Sequence, residues 1–289
     1  MRSILFYHTD KTGGSSIREW FNRHHSWISV NYLHTQCYLA LPHHVDLFPD
    51  YAFAARPGKV RDECQKCCLT GRSTNSSTVF VEFHAQSRPR FWNIMHRQGA
   101  ALRQRHVSSG GALVSLIMVR DPLPHMLSHF LMFPPHYHDG PGGAPRLITY
   151  AEFVNSSQAS GLQTREITLQ GGCNTSLALK RLASFDVACN LRWLEACIDT
   201  VGDLIDTSRR LKKYPMRIWL RPGVDHRNAS HHEWLQAQHE DSVRRAAALV
   251  SYDDVRRAAA CDQALMDRES EWARPLYLLH QRPASHARE

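Results

Sequence analysis

The most continuous apolar run in the chain is Ala112 to Val119 (Ala-Leu-Val-Ser-Leu-Ile-Met-Val), a pattern that predicts a strand buried on both faces in the middle of a parallel sheet. Ser3 to His8 and Val79 to His84 predict two more buried strands, and Phe185 to Cys189 a fourth. Helical spacing follows them. Ile17, Trp20 and Phe21 mark a helix after Gly13-Gly14, and Trp92, Met95 and Leu102 mark one from Phe91 to Arg105. Met126, Leu127, Phe130 and Leu131 form the apolar stripe of a helix that starts at Asp121-Pro122 and stops at Pro134-Pro135. Asp suits its N-cap and Pro its first helical position. Leu194, Ile198 and Leu204 predict a helix after the fourth strand, and helices over 231–250 and 253–273 close the chain. Strands alternating with helices predict an α/β fold with a doubly wound parallel sheet flanked by helices. The 289 residues are read as a single domain, long enough to bury a continuous core. Residues 31–77 lack periodicity and read as loops with short helices; 56–77 and 134–175 read as loop insertions.

Ligands of such sheets bind beyond the carboxyl ends of the strands, and three polar groups fall at predicted strand ends. The first is the loop His8-Thr9-Asp10-Lys11-Thr12-Gly13-Gly14-Ser15-Ser16. Gly13 and Gly14 let the backbone curl, and the following helix N-terminus offers N–H groups and a partial positive charge. Thr12, Ser15 and Ser16 add hydroxyls and Lys11 a cation, which together suit a phosphate. The loop is not a Walker A sequence, because its Lys precedes the glycines. An ordinary strand-to-helix turn with a surface Lys is the plainer alternative. The second group is Glu82 and His84, which share one face of their strand. A His, alone or oriented by a Glu, takes a proton from a hydroxyl near neutral pH. Polar residues on the wet side of an edge strand explain the pair equally well. The third group is Arg120 with Ser128 two helical turns later, a guanidinium fork and a hydroxyl able to grip one phosphate. An Arg–Asp pair at a helix start is its plainer alternative.

These residues resemble the PAPS-dependent sulfotransferase superfamily, in particular the Golgi carbohydrate branch that includes heparan sulfate 2-O-sulfotransferase. Phe6-Tyr7-His8-Thr9-Asp10-Lys11-Thr12-Gly13-Gly14-Ser15-Ser16 looks like that branch's Phe-x-His-Ile-Pro-Lys-Thr-Gly-Gly-Thr-Ser. Arg120-Asp121-Pro122 through Ser128-His129-Phe130 looks like its Arg-Asp-Pro followed by Ser-x-Tyr. The resemblance implies a P-loop-like fold and transfer of a sulfuryl group from PAPS to a hydroxyl, most naturally on a carbohydrate. It implies that Lys11, Thr12, Gly13, Gly14, Ser15 and Ser16 bind the 5′-phosphosulfate. Arg120 and Ser128 would bind the 3′-phosphate, Lys11 would stabilise the leaving group, and His84 or Glu82 would be the base. No metal is required by this scheme. Phe185-Asp186-Val187 is similar to the region that closes over adenine, and His226-Arg227-Asn228-Ala229-Ser230 to a late loop near the donor. Asp10 stands where the family has Pro, which removes a fixed φ and brings a carboxylate toward a dianion. If Asp10 points inward, donor affinity falls, and a catalytically inactive binding protein of the same fold becomes the alternative. A nucleotide-dependent phosphoryl transferase is the other, but it lacks a Walker A Lys-Ser/Thr pair and a carboxylate pair for Mg²⁺.

Composition adds two points. The net charge of +8 suits an anionic donor and an anionic acceptor. Arg209-Arg210-Leu211-Lys212-Lys213 is the one dense basic cluster, without interleaved aromatics, which argues against nucleic acid as partner. Eight Cys are compatible with disulfides, and Cys64, Cys67 and Cys68 favour a loop disulfide over zinc because no second ligand pair stands at matching spacing. Four Asn-x-Ser/Thr sequons begin at Asn75, Asn155, Asn174 and Asn228. Eight Asn in a chain about one-eighth Ser and Thr would give roughly one by chance. A secretory, Golgi-type lumen is therefore expected, with the cytoplasm as the alternative. No apolar run reaches the ~18 residues of a membrane span, and no signal peptide opens the chain. The chain starts almost directly on a strand, so a membrane anchor is expected outside this sequence.

Overall fold

The computed structural model describes residues 2–24, 28–33, 78–84, 88–133, 136–138, 145–205, 244–245 and 247–273. Several expectations fall outside the described residues: the 56–77 insertion, Cys37, Cys64, Cys67, Cys68, Asn75, the basic cluster at 209–213, the 226–230 loop, Asn228 and most of the 231–250 helix. Contacts divide the chain into two compact units, Met1–Val119 with Leu182–Met216 and Ser270–Glu289, and Arg120–Arg181 with Arg217–Glu269.

The first unit is built on strands β1 (Arg2–His8), β2 (Ile28–Leu33), β3 (Thr78–His84), β4 (Ala112–Val119) and a late strand, Val187–Asn190, which pairs with β4. All pairings are parallel and the order is β2-β3-β1-β4 followed by the late strand. Helix α1 (Gly14–His24) leads from β1 to β2, and α2 (Arg88–Ser108) joins β3 to β4, the two neighbours of β1. The α/β class with an all-parallel sheet flanked by helices thus stands as expected. β1 sits between β3 and β4, and six consecutive residues of β1 and seven of β4 are buried, the signature of central parallel strands covered on both faces. Aromatic side chains fill the cover. Phe91 of α2 stacks on Phe185 at 5.1 Å and meets Tyr7 edge-on at 5.1 Å. Polar atoms drawn into this core are paired: His106 Nε2 lies 3.0 Å from Ser3 Oγ, and its Nδ1 donates to Leu102 O at 2.7 Å. β2 was not foreseen, because residues 31–77 read as irregular, although Ile28, Val30 and Tyr32 alternate with Ser29 and Asn31; it pairs with β3.

The second unit opens with α3 (Pro122–Met132) and a short hairpin of β5 (His136–His138) and β6 (Pro145–Leu147). It continues through α4 (Tyr150–Val154), α5 (Leu162–Thr168) and α6 (Thr175–Leu182). The stretch read as an insertion over 134–175 is therefore largely structured. Its helices hide their apolar residues among Met126, Phe130, Ile148, Tyr150, Phe153, Leu162, Ala258 and Ala259, whose spacing within each short helix is too brief to reveal a period. A capping box starts α4, with Thr149 Oγ1 accepting from Glu152 N and Glu152 Oε2 accepting from Thr149 N. Asp121 occupies the N-cap of α3 with Pro next to it, but its side chain makes no capping bond. Back in the first unit, the strand Val187–Asn190 is β7, and α7 (Leu194–Ile205) follows it. The predicted 253–273 helix is two, α8 (Tyr252–Met266) and α9 (Glu269–Trp272), broken at Asp267-Arg268. Disulfides join Cys173 to Cys261 and Cys189 to Cys197. Among the described residues no helix is long and apolar enough to cross a membrane.

Candidate functional site: the turn from the first strand into the first helix

The chain leaves β1 toward β2 on one side of the sheet, and leaves β4 toward β7 on the other. The neighbouring carboxyl ends of β1 and β4 therefore form a topological switch point, where loops diverge and a ligand finds room. Residues 9–13 make the turn from β1 into α1. Lys11 lies at φ 59° and Gly13 at φ 87°, two left-handed residues within three positions. Lys pays a steric cost for that conformation, which persists only where the surroundings enforce it. They do so from below. Thr9 Oγ1 donates to Met118 O of β4 at 2.6 Å, and Thr12 Oγ1 donates to Thr9 O at 2.8 Å. Thr12 is wholly buried, so its hydroxyl holds the loop together and does not face a ligand as the sequence suggested. Ser16 is also buried, in the first turn of α1, and Ser15 precedes it there.

Gly14 is required for a different reason. A Cβ built on it would lie 2.3 Å from Nε2 of His8, a severe clash with the imidazole ring. That ring cannot step aside. Its Nδ1 donates to Glu82 Oε1 at 2.6 Å, Phe6 stacks on it at 5.5 Å, and the His84 ring centre is 4.5 Å away. Glu82 Oε2 accepts from Arg18 Nη1 at 2.9 Å. Burial opposes a charge on Glu82, but the His8 hydrogen bond and the charges nearby, Arg18 among them, outweigh it and hold the carboxyl below the usual range. Burial depresses His8 more than Glu82 raises it, so His8 stays neutral with its proton on Nδ1.

This arrangement separates the two candidate bases. Glu82 is fully buried and both its oxygens are engaged, by His8 and Arg18, so it buttresses the turn and is closed to an acceptor. The expectation that it flanks His84 as an alternative base does not match this placement. Two residues apart they do share a face, but Glu82 lies one pleat deeper. His84 ends β3, partly exposed, and its Nε2 lies 2.8 Å from Asp10 Oδ1. The same oxygen accepts from Arg88 Nη2 at 2.6 Å, while Arg88 Nε donates to His8 O at 2.9 Å. Asp10 does point inward, yet its charge is balanced by Arg88.

No protein-family model, curated protein or solved structure matches this chain.

Phe185-Asp186 takes a structural role. Asp186 Oδ2 accepts from Ser115 N and Ser115 Oγ at 2.7 Å each and from Arg103 Nη2 at 2.8 Å, and Phe185 is packed in the aromatic cluster, so neither faces a nucleotide. In the second unit Arg120 is half-buried, and burial lowers its guanidinium pKa although Asp121 pulls the other way. Ser128 lies in α3, partly exposed. Sequence reasoning missed Arg18, Arg88 and Gln163, and named His8 only as the start of the loop, not as the partner of Glu82. The partners that define them stand 43 to 80 residues away in the chain, so no local pattern could show them.

Proposed function

We propose that the protein is a sulfotransferase of P-loop-like fold that moves a sulfuryl group from PAPS to a hydroxyl, most naturally on a glycan. The observation that carries this reading is Lys11 at φ 59° in a turn braced from beneath, at the switch point of a parallel sheet and against a helix N-terminus. Such a turn offers backbone N–H groups and a cation to an anion. In this account residues 11–16 bind the 5′-phosphosulfate, and for Arg120 and Ser128, of the second unit, the 3′-phosphate role is what the resemblance implies. His84 is the base. Asp10 Oδ1, 2.8 Å from Nε2 of His84, orients the imidazole.

The acceptor oxygen forms a bond to sulfur as the bond from sulfur to the bridging phosphate oxygen breaks. The acceptor's proton passes to His84, and the electron pair leaves on adenosine 3′,5′-bisphosphate, whose growing charge Lys11 stabilises. Disulfides in both units and exposed sequon residues Asn155 and Asn174 favour a secretory lumen as its place of work. Transfer of radiolabelled sulfate from PAPS to a panel of polysaccharides, small sugars, tyrosine peptides and lipids tests the reaction. Lys11→Ala is expected to lower turnover by about 10²- to 10³-fold. Near-normal transfer by that variant contradicts the assignment.

A further inference from the structure

Arg120 is the first residue after β4, where the ladder to β7 ends at Val119. Its peptide groups are nevertheless paired, because one side chain takes the place of a strand. Arg120 N donates to Gln163 Oε1 at 2.8 Å, and Gln163 Nε2 donates to Arg120 O at 2.7 Å. A primary amide set against both the N–H and the C=O of one residue fixes that residue's Cα, and so the origin of its side chain. Gln163 is completely buried and cannot swing away into water.

Gln163 is in turn immobilised. It is the second residue of α5, whose first N–H groups need acceptors. Asp262 of α8 supplies them: Gln163 N donates to Oδ2 at 3.1 Å, and Thr164 N and Oγ1 donate to Oδ1 at 2.9 and 2.8 Å. Beside Asp262, Cys261 is bonded to Cys173, which ties α8 to the segment that follows α5. Gly161 stands at φ 60°, and a Cβ there would meet Cys261 Sγ at 3.0 Å, so the chain passes close against the disulfide. The line Asp262, Gln163, Arg120 joins positions 142 residues apart in sequence through hydrogen bonds.

We propose, resting on the donor reading above, that Gln163 is a positioning residue that sets Arg120 to discriminate for nucleotides carrying a 3′-phosphate. Asp262 acts behind it as its support. An amide that merely sealed the end of a strand would affect stability and leave ligand preference alone. The clamp therefore has a readout of its own, the ratio of affinities for adenosine 3′,5′-bisphosphate and adenosine 5′-monophosphate.

The test is calorimetric titration of the whole protein with both nucleotides. Wild type is expected to favour the bisphosphate by about ten- to hundredfold, the worth of charge-assisted contacts to one phosphate. Gln163→Met keeps the length and shape of the side chain and deletes both hydrogen bonds. It is expected to lose most of that ratio while binding the monophosphate as wild type does. Arg120→Ala should lose the same preference, and the double variant no more than either single one. Gln163→Glu retains an acceptor for Arg120 N and serves as the second variant if Gln163→Met fails to fold; it should fall between. A folded variant of either kind that keeps the wild-type ratio overturns the clamp. Wild type that binds both nucleotides equally overturns it too. Wild type that binds neither overturns the donor reading itself, which separates the two failures.

Discussion

Asp10 Oδ1 lies 2.8 Å from His84 Nε2 and 2.6 Å from Arg88 Nη2, so one carboxylate oxygen ties the phosphate-loop candidate to the candidate base. In the proposed function, Asp10 orients the imidazole in place of repelling a donor. Asp10→Asn keeps the shape and removes the charge. It is expected to lower kcat by about tenfold or more, with bisphosphate affinity changed by less than about twofold. Steady-state kinetics and titration together check this. Tighter donor binding at unchanged kcat would mean that Asp10 acts as a repulsive group after all.

Gly14 faces the His8 ring, and two effects compete when a methyl is added there. Alanine favours a helix over glycine by about 1 kcal/mol. The methyl, however, would lie 2.3 to 2.5 Å from three atoms of a ring fixed by Glu82. Overpacking of that kind costs roughly 1–3 kcal/mol or more and wins. Gly14→Ala is expected to lower the unfolding midpoint and to abolish anion binding at the turn. Equal or raised stability in a thermal melt would show that the ring can move.

Acid should destabilise the fold. Burial depresses His8 and His106 below the ordinary value of 6.5. The unfolded chain therefore takes up their protons first, and their contribution is present above 6.5 and lost as pH falls through the folded-state values. Glu82, held below 4.5 in the fold, acts with the same sign at lower pH. Urea unfolding at about pH 7.5 and about pH 5.5 checks the direction, with the lower midpoint expected at the lower pH. A midpoint that is flat or rises on acidification would show His8 and His106 to be charged in the fold.

Much of the sheet was legible in the sequence, and the reason is local. Ala112–Val119 is apolar but for Ser115, and Ile4–Tyr7 is apolar throughout, as strands covered on both faces tend to be. β2 was missed although Ile28, Val30 and Tyr32 alternate with Ser29 and Asn31, because that short alternation runs straight into the irregular stretch from residue 31; the helices over 150–182 were missed because each is too short to show a period. At the turn, the loop and Lys11 were legible as a motif. The separation of Glu82 from His84 was not, since it depends on His8 and Arg18, placed against Glu82 only by folding. Gln163 had no signal at all.

The two disulfides should differ in worth. Cys173 and Cys261 are 88 residues apart, Cys189 and Cys197 only 8. Loop-closure entropy gives about 4.6 kcal/mol for the first and about 2.6 kcal/mol for the second. Replacing each pair by Ala and measuring unfolding under non-reducing conditions should show the larger loss for Cys173–Cys261. The reverse order would place their effect in native packing.

The central claim is that the turn at residues 9–16 binds a phosphorylated sulfate donor, and one titration meets it directly. Adenosine 3′,5′-bisphosphate and ATP are titrated separately into wild type and Lys11→Ala, with heat as the signal. The account predicts binding of the bisphosphate to wild type, at least about tenfold weaker binding to Lys11→Ala, and little or no response to ATP. Preference for ATP, or bisphosphate affinity indifferent to Lys11, would contradict it.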